Sequence, residues 1–310
     1  MKVFFTGGRG FFGRVLLKKF VDGGHTVVAP TSKEVDLMNG PEVDAAVAEA
    51  APDLLVNSAA YYGGIGINQD EPDNLFHLNT VMVANVYHAA AKAEVPKVQG
   101  IGSACAYPAK TIGYLNEDDF WEGELHHSVI AYGFSKKLQE IAMMAYGKKY
   151  GMVGQLPLLT NLYGEHDVFT EYRSHVVSAL IKRYADATQQ NLPFLMNWGT
   201  GAPIREFMYV DDAAEACYRL AMTDYEGRLN VGTGIGTTIK ELAELTAKHT
   251  GFQGEVRWDP DKPDGVLRKV LDVNKMKEVL GWEPPHDLDS GLKKTIEWYL
   301  ANKEEADARP

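Results

Sequence analysis

Short apolar runs alternate with longer stretches of helical periodicity through the first half of the chain. Val3-Phe4-Phe5-Thr6, residues 25–29, residues 53–60 around Leu54-Leu55-Val56, and residues 97–102 each have the length and composition of a buried strand. Between them, helices are expected from near Phe11, after Pro41, over residues 75–93 and around Tyr132. Strands alternating with helices predict an α/β fold: a doubly wound parallel sheet with ligands at the carboxyl ends of its strands. The second half is less regular. A helix is expected over residues 175–187 with Val176, Leu180 and Ile181 on one face. An alanine-rich helix follows Val210-Asp211-Asp212-Ala213, then a short strand over 229–232 and a capped helix over 238–249. The expected division is a first domain over 1–165, with returning segments near 205–235, and a smaller α/β lobe over 166–310. The charged stretch 302–307 lacks apolar anchors and is expected to fray.

The first strand runs into Gly7-Gly8-Arg9-Gly10-Phe11-Phe12-Gly13, a Gly-x-x-Gly-x-x-Gly turn that opens a helix. Glycines there allow a tight turn and close approach of backbone to a pyrophosphate, which the helix amino terminus then receives. Because the turn sits between a strand and a helix, it points to a Rossmann-type dinucleotide site. After the second strand the chain reads Pro30-Thr31-Ser32-Lys33 where an NAD enzyme often carries an acid. With Arg9 and Lys33 nearby, a 2′-phosphate would meet positive charge, so NADPH is favoured over NADH. Asp36-Leu37 would lie near the adenine, although Asp36 equally suits a cap for the helix after Pro41. Ala59 and Ala60, at the small-residue end of the third strand, would pass under the cofactor.

Tyr132 and Lys136 are four residues apart, on one helix face, so the ammonium can sit near the phenol. A cation about 4 Å away at intermediate dielectric is worth roughly 4 kcal/mol. That would bring a phenol from about 10 toward neutrality at about 1.4 kcal/mol per unit, poising it to exchange a proton. Ser103 falls at a strand end and can give the same oxygen a second hydroxyl. Cys105 follows two residues later. Alone, each also fits a bland role: a solvated helix face for Tyr132 and Lys136, a small buried hydrophobe for Cys105, a helix residue for His175. Trp198 can stack on a base and Arg205 can fork onto phosphate, or Arg205 can pair with Glu206 or Asp211. Lys269 adds charge near the end. His126 and His127 fit either a solvent-facing loop or a substrate contact.

Composition narrows the picture. A net charge of −11 over 310 residues argues against a nucleic-acid surface. Cys105 and Cys217 are the two cysteines, which suits a reducing compartment, and Cys217 reads as helix core. No signal-peptide pattern and no bilayer-length apolar run is present, so a cytoplasmic protein with no membrane partner is expected. No metal-ligand spacing such as His-Glu-x-x-His occurs, and no metal is expected.

The glycine turn, the position of Ser103 and Tyr132-x-x-x-Lys136 resemble the extended short-chain dehydrogenase/reductase family. Further segments resemble its GDP-L-fucose synthase branch: Gly63-Gly64-Ile65, Gly102 through Pro108, Thr160 through Gly164, Ser174-His175-Val176, Trp198 through Gly201, Arg205-Glu206-Phe207 and Lys262-Pro263-Asp264-Gly265. The resemblance implies 3,5-epimerisation and 4-reduction of GDP-4-keto-6-deoxy-D-mannose to GDP-L-fucose with NADPH. It implies a reductase trio of Ser103, Tyr132 and Lys136 and an epimerisation pair of Cys105 and His175, taken here as base and acid. It also implies cofactor contacts from Gly7, Arg9, Gly10, Phe11, Phe12, Gly13, Asp36, Leu37, Ala59, Ala60, Lys136, Leu159, Leu162 and His175. Substrate contacts would come from Asn161, Val176, Leu180, Trp198, Arg205 and Lys269, and the assembly would be a homodimer packed through helices. The sequence departs from the branch at Ala104, Ser32, Leu159 and the loop His126-His127-Ser128-Val129-Ile130, which leaves another 4-keto sugar open, such as a heptose or colitose precursor. A 4-epimerase that recycles NAD and a non-catalytic nucleotide sensor are the other readings.

Overall fold

The computed structural model describes residues 1–109, 113–170, 172–262 and 264–309. Its strands in chain order are β1 (Lys2–Thr6), β2 (Thr26–Val28), β3 (Leu54–Asn57), β4 (Lys97–Gly100), β5 (Gly102–Ser103), β6 (Val153–Leu159), β7 (Asn161–Tyr163), β8 (Phe194–Trp198), β9 (Ile204–Tyr209), β10 (Gly227–Val231), β11 (Gly236–Thr238), β12 (Glu255–Asp259) and β13 (Arg268–Lys269). The helices are α1 (Phe11–Asp22), α2 (Gly40–Ala50), α3 (Ile65–Asp70), α4 (Pro72–Lys92), α5 (Ile130–Tyr150), α6 (Val176–Gln189), α7 (Val210–Ala221), α8 (Ile239–Thr250), α9 (Asn274–Leu280), α10 (Leu288–Ala301) and α11 (Lys303–Ala308).

Six strands lie in the order β10-β6-β4-β3-β1-β2, each pair parallel, and β5 adds a short parallel pairing to β6. Helices cover the sheet, so β1 and β3 read as continuous apolar runs rather than alternating ones, and all four residues of β3 are buried. Strand order reverses at β1, which has β2 on one side and β3 on the other. A crevice opens at such a switch point, and the glycine turn after β1 sits at its edge.

Two strand ends differ from expectation, each for a reason that matters to the site. The run 97–102 is broken at Ile101, whose N–H donates to the Asn57 carbonyl at 3.0 Å, so β4 ends at Gly100 and β5 shifts onto β6. A Cβ on Gly102 would stand 2.9 Å from the Pro157 carbonyl oxygen, so only glycine lets this crossing close. Ser103 is thereby delivered to the crevice. Likewise β3 stops at Asn57: Ser58 N–H makes a last bond to the Thr6 carbonyl at 3.3 Å, and Ala59 N–H turns to the Thr6 hydroxyl at 3.3 Å.

The second lobe centres on β9, which pairs antiparallel with β11 and parallel with β7 and β13, beside a separate parallel pair, β8 and β12. Its core joins Leu180, Ile181 and Tyr184 of α6 to Leu242 of α8 and to Leu292 and Tyr299 of α10. Helix α7 returns to the first core through Ala213, Cys217 and Leu220.

Fraying of residues 302–307 is corrected by the structure. Helix α11 buries Ala306, and Lys303 reaches Asp186 at 2.8 Å and Asp307 at 2.6 Å. The charges of this stretch are an anchor because Asp186, on the solvent side of α6, offers a partner of opposite sign. Among the described residues no helix is long and apolar enough to cross a membrane.

Candidate active site

A single cleft runs from the glycine turn, past the end of β5, to the edge of β9. At its first end, Gly10 N–H donates to the Gly7 carbonyl at 3.0 Å and closes the turn ahead of α1. Gly7 has a φ of +72°, and a Cβ on it would lie 2.6 Å from Ala59 N; a Cβ on Gly13 would lie 2.1 Å from Gly7 O. The turn is therefore as tight as backbone allows, and α1 carries no acid in its first turn to oppose an anion. This cradle fits the pyrophosphate of a dinucleotide. Gly7, Gly10, Phe11, Phe12, Gly13 and Ala60 line the cleft, with Leu159 and Leu162 further in.

Arg9, Asp36, Leu37 and Ala59 stand outside its lining. Ala59 backs Gly7, and Arg9 is exposed in the turn. Asp36 does not cap α2: its carboxylate accepts the Met38 N–H at 2.9 Å, and Asn39 holds the capping position. Leu37 packs against the first core. Near the end of β2, the Glu34 carboxylate accepts the Thr31 N–H at 2.8 Å and, with Arg9 nearby, stays below the usual carboxylate range.

The middle of the cleft brings together Ser103, Cys105, Tyr132, Lys136 and His175. Ser103 Oγ accepts the Cys105 N–H at 3.1 Å, which fixes the turn carrying the thiol and leaves the Ser103 hydroxyl proton to donate elsewhere. The carbonyl of Cys105 lies under α5, where a Cβ on Gly133 would come within 2.7 Å of it. That glycine lets the helix bearing Tyr132 close onto the strand end bearing Cys105. Lys136 is buried, donates to the Ile101 carbonyl at 3.0 Å, and stands 5.4 Å from the centre of the Tyr132 ring.

This geometry corrects the expected acidity of Tyr132. The ammonium lies over the ring face, and burial outweighs it: the phenol is pushed well above its ordinary value, with Cys105 and Tyr62 acting in the same direction. Lys136 responds oppositely, drawn down to about 8 by burial while Cys105 opposes. Tyr132 is thus held as a proton donor, and Lys136 is the group of the pair whose pKa burial draws down toward neutrality.

His175 occupies the residue before α6, and its ring stacks on Tyr62 with centroids 6.1 Å apart and planes 8° from parallel. Tyr62 belongs to the segment before α3. There Gly64 N–H donates to the Arg173 carbonyl at 3.1 Å, and a Cβ on Gly64 would lie 2.5 Å from Ser174 O. Gly64 therefore lets the segment carrying His175 dock directly on the first lobe. Behind α6, the fully enclosed Asp167 accepts hydrogen bonds from Val168 N–H at 2.8 Å and from the Ser178 hydroxyl, and burial raises its pKa while His175 opposes. Sequence reasoning missed Tyr62 and Asp167, neither of which belongs to a motif.

At the far end, Arg205 and Lys269 are register partners across β9 and β13 and both line the cleft. Like charges set opposite each other in a sheet repel, and neither has an ion-pair partner among the described residues, so the pair suits an anionic ligand. Arg205 is steered by hydrogen bonds to the Ile204 carbonyl at 2.9 Å and the Val266 carbonyl at 2.5 Å. It does not pair with Glu206 or Asp211. Strand alternation sends Glu206 to the other face, where its carboxylate takes the amides of Thr233, Gly234 and Leu271, and Asp211 pairs with Lys19. Asn161 lines the cleft as well. Val176, Leu180 and Trp198 do not: Leu180 is in the second core with Val176 against it, and Trp198 is 73% exposed with Lys262 over its ring. Pro263, of the Lys262 to Gly265 segment, lies outside the described residues. No group of three His, Cys, Asp or Glu side chains is placed to hold a metal among the described residues.

Residues 3–232 match the family described as the NAD dependent epimerase/dehydratase family. The chain is 38% identical over 304 residues to the putative GDP-L-fucose synthase 2 of Arabidopsis thaliana, covering 97% of this chain and 92% of that protein. It is 34% identical over 314 residues to the GDP-L-fucose synthase of Escherichia coli K12, covering 98% of both. Its structure is similar to that of a GDP-L-fucose synthetase from Naegleria fowleri bound to NADP, with a TM-score of 0.90 and 25% identity over 99% of this chain and 94% of that one. From the glycine cradle to the paired cations, the chain belongs to the NAD dependent epimerase/dehydratase family and, within it, to the GDP-L-fucose synthase group.

Proposed function

We propose that this protein is an NADPH-dependent 3,5-epimerase and 4-reductase that converts GDP-4-keto-6-deoxy-D-mannose to GDP-L-fucose. The observation that carries the reading is the convergence of a thiol and an imidazole, Cys105 and His175, on the cleft that holds the Ser103, Tyr132 and Lys136 trio. A ketone at C4 acidifies the hydrogens on C3 and C5. Removing one leaves an enolate whose charge sits on the C4 oxygen, where the hydroxyls of Ser103 and Tyr132 can donate. Inversion needs a base on one face of the ring and an acid on the other. Cys105 takes the proton and His175 returns one from the opposite side. When bound, NADPH supplies the hydride that reduces C4. Tyr132 gives its proton to the C4 oxygen, and burial, by raising its pKa, keeps the phenol protonated until then. Lys136 holds positive charge beside it, and Arg205, Lys269 and Asn161 hold the diphosphate end. Gly7, Gly10, Gly13, Phe11, Phe12 and Ala60 hold the dinucleotide, and Arg9, exposed in the turn, is the cation offered to a 2′-phosphate. Trp198, on the open rim, is available to stack on guanine.

The second lobe, built around β9 with α6, α8 and α10, then serves as the substrate-binding unit, while α7 and β10 return to the first lobe. A homodimer is part of the proposal. Phe134, Ile141 and Met144 form an exposed apolar stripe on α5, with Phe76 on the adjoining α4, and a second copy would cover it. Two unpaired cysteines suit a reducing cytoplasm.

Incubation with NADPH and the keto sugar in deuterated water tests the reading. Deuterium at both C3 and C5 with one NADPH oxidised per product is expected. Reduction without exchange would leave a simple 4-reductase of a related keto sugar, a reading favoured only by the unusual loop around His126. Recycling of the cofactor without net oxidation would indicate a 4-epimerase. Cys105→Ser should slow exchange more than reduction, and equal loss of both would count against the role assigned to the thiol.

A further inference from the structure

The loop before α5 places a titratable ring in the cleft that the reaction above does not use. His126 lines the same cavity as Cys105, Tyr132, Arg205 and Lys269. Its orientation is set locally. Nδ1 accepts the Ser128 backbone N–H at 3.3 Å and lies 2.7 Å from Ser128 Oγ, in the turn that leads into α5. A backbone N–H only donates, so Nδ1 is the acceptor and the ring proton belongs on Nε2. The His127 ring packs 4.4 Å away. Burial first, then His127, Lys269 and Arg205, hold the ring below its ordinary pKa, so it stays neutral.

Nε2–H has no hydrogen-bond partner among the described residues. The ring is only partly buried, so this N–H opens to the cleft, where water or a ligand can accept from it. Two cations already serve the anionic end of the cleft, while Ser103 and Tyr132 serve the ketone. A neutral donor in the same cleft, near Lys269 and Arg205, suits an uncharged oxygen. Resting on the reading that a nucleotide-linked sugar fills this cleft, we infer that His126 is a specificity contact that donates from Nε2 to a hydroxyl oxygen of the sugar ring.

Two variants separate this contact from the upkeep of the loop. In His126→Asn the side-chain oxygen can still accept the Ser128 N–H, but nothing reaches the Nε2 position. In His126→Gln the amide reaches that position and the local acceptor is lost. Calorimetry with GDP-mannose and with GDP reads the effect without turnover, and NADPH binding reports whether the cleft is intact. For His126→Asn, GDP-mannose affinity is expected to fall about tenfold, the worth of one neutral hydrogen bond, with GDP and NADPH affinities unchanged. His126→Gln is expected to recover most of that loss. Wild-type GDP-mannose affinity in His126→Asn would overturn the contact. Equal weakening of GDP would overturn its assignment to the sugar, and a parallel fall in NADPH affinity would overturn it in favour of a purely structural loop. Failure of the wild type to oxidise NADPH with the keto sugar would instead refute the proposed reaction, while the calorimetric ratio still judges His126.

Discussion

Where the first sheet meets the cleft, residues matter for what they lack; where the second lobe meets it, they matter for the side chains they bring. Gly7, Gly10 and Gly13 shape one end of the cleft by having no Cβ, within one short run of chain. Arg205 and Lys269 shape the other end by being paired across two strands that are distant in sequence. The first kind of site is made by local geometry and has no room for an added atom at Gly7 or Gly13. The second depends on tertiary register, and residues of similar apolar character can fall in quite different places, as Leu180 in the core and Trp198 on the surface do.

The sharpest test concerns the centre, where both regions contribute. Tyr132→Phe should lower turnover by about 10²–10⁴-fold with little change in NADPH affinity, as expected for loss of a positioned proton donor. Turnover within a few-fold of the wild type would remove Tyr132 from the chemistry. Next, Gly13→Ala should weaken NADPH binding by about a hundredfold, because the new Cβ at 2.1 Å from Gly7 O lies far inside van der Waals contact and must break the turn. Calorimetric titration reads this, and an unchanged affinity would mean that the turn is not the dinucleotide cradle.

Leu180→Ala separates the core of the second lobe from its ligand surface. It should cost about 2–5 kcal/mol of stability in denaturant unfolding, with GDP affinity little changed in the folded fraction. A selective loss of GDP affinity would restore Leu180 as a contact. A smaller effect follows from Lys136, drawn down to about 8. As pH rises through that value the ammonium loses its charge, so kcat/KM of the free enzyme should fall on the alkaline side of about 8. A limb that appears only above pH 10 would show that burial does not control this lysine. Trp198→Ala should change KM by about threefold or less, because a ring 73% exposed gains little from stacking. A tenfold change would show that the rim closes over the base.

The sequence made the regular region legible because its signals are local. Each apolar run became a strand of the parallel sheet, and the turn after Thr6 opened a helix at Phe11 as expected. The break at Ile101 was hidden, since a crossing from one neighbour strand to another leaves no mark in hydropathy. In the second lobe, residues 176 and 180 were placed on one helix face correctly, but nothing in the pattern said that this face turns to the core rather than the ligand. The acidity of Tyr132 was misjudged because helical spacing brings the lysine near the ring without bringing it to the oxygen, and burial, invisible in the sequence, then dominates. Tyr62 could have been suspected from the aromatic pair just before Gly63-Gly64. Asp167 carried no signal, because its place behind His175 depends on how α6 is docked. The charged stretch at 302–307 was misread for a similar reason: its partner, Asp186, is more than a hundred residues away.

The two thiols occupy opposite extremes. Cys217 is fully buried in α7, and its surroundings push it far from ionisation, while Cys105 opens onto the cleft. A water-soluble alkylating reagent applied to the folded protein therefore meets one sulfur per chain. The label incorporated becomes a direct census of intact sites in a preparation, and its suppression by bound ligands a gauge of occupancy that needs no turnover.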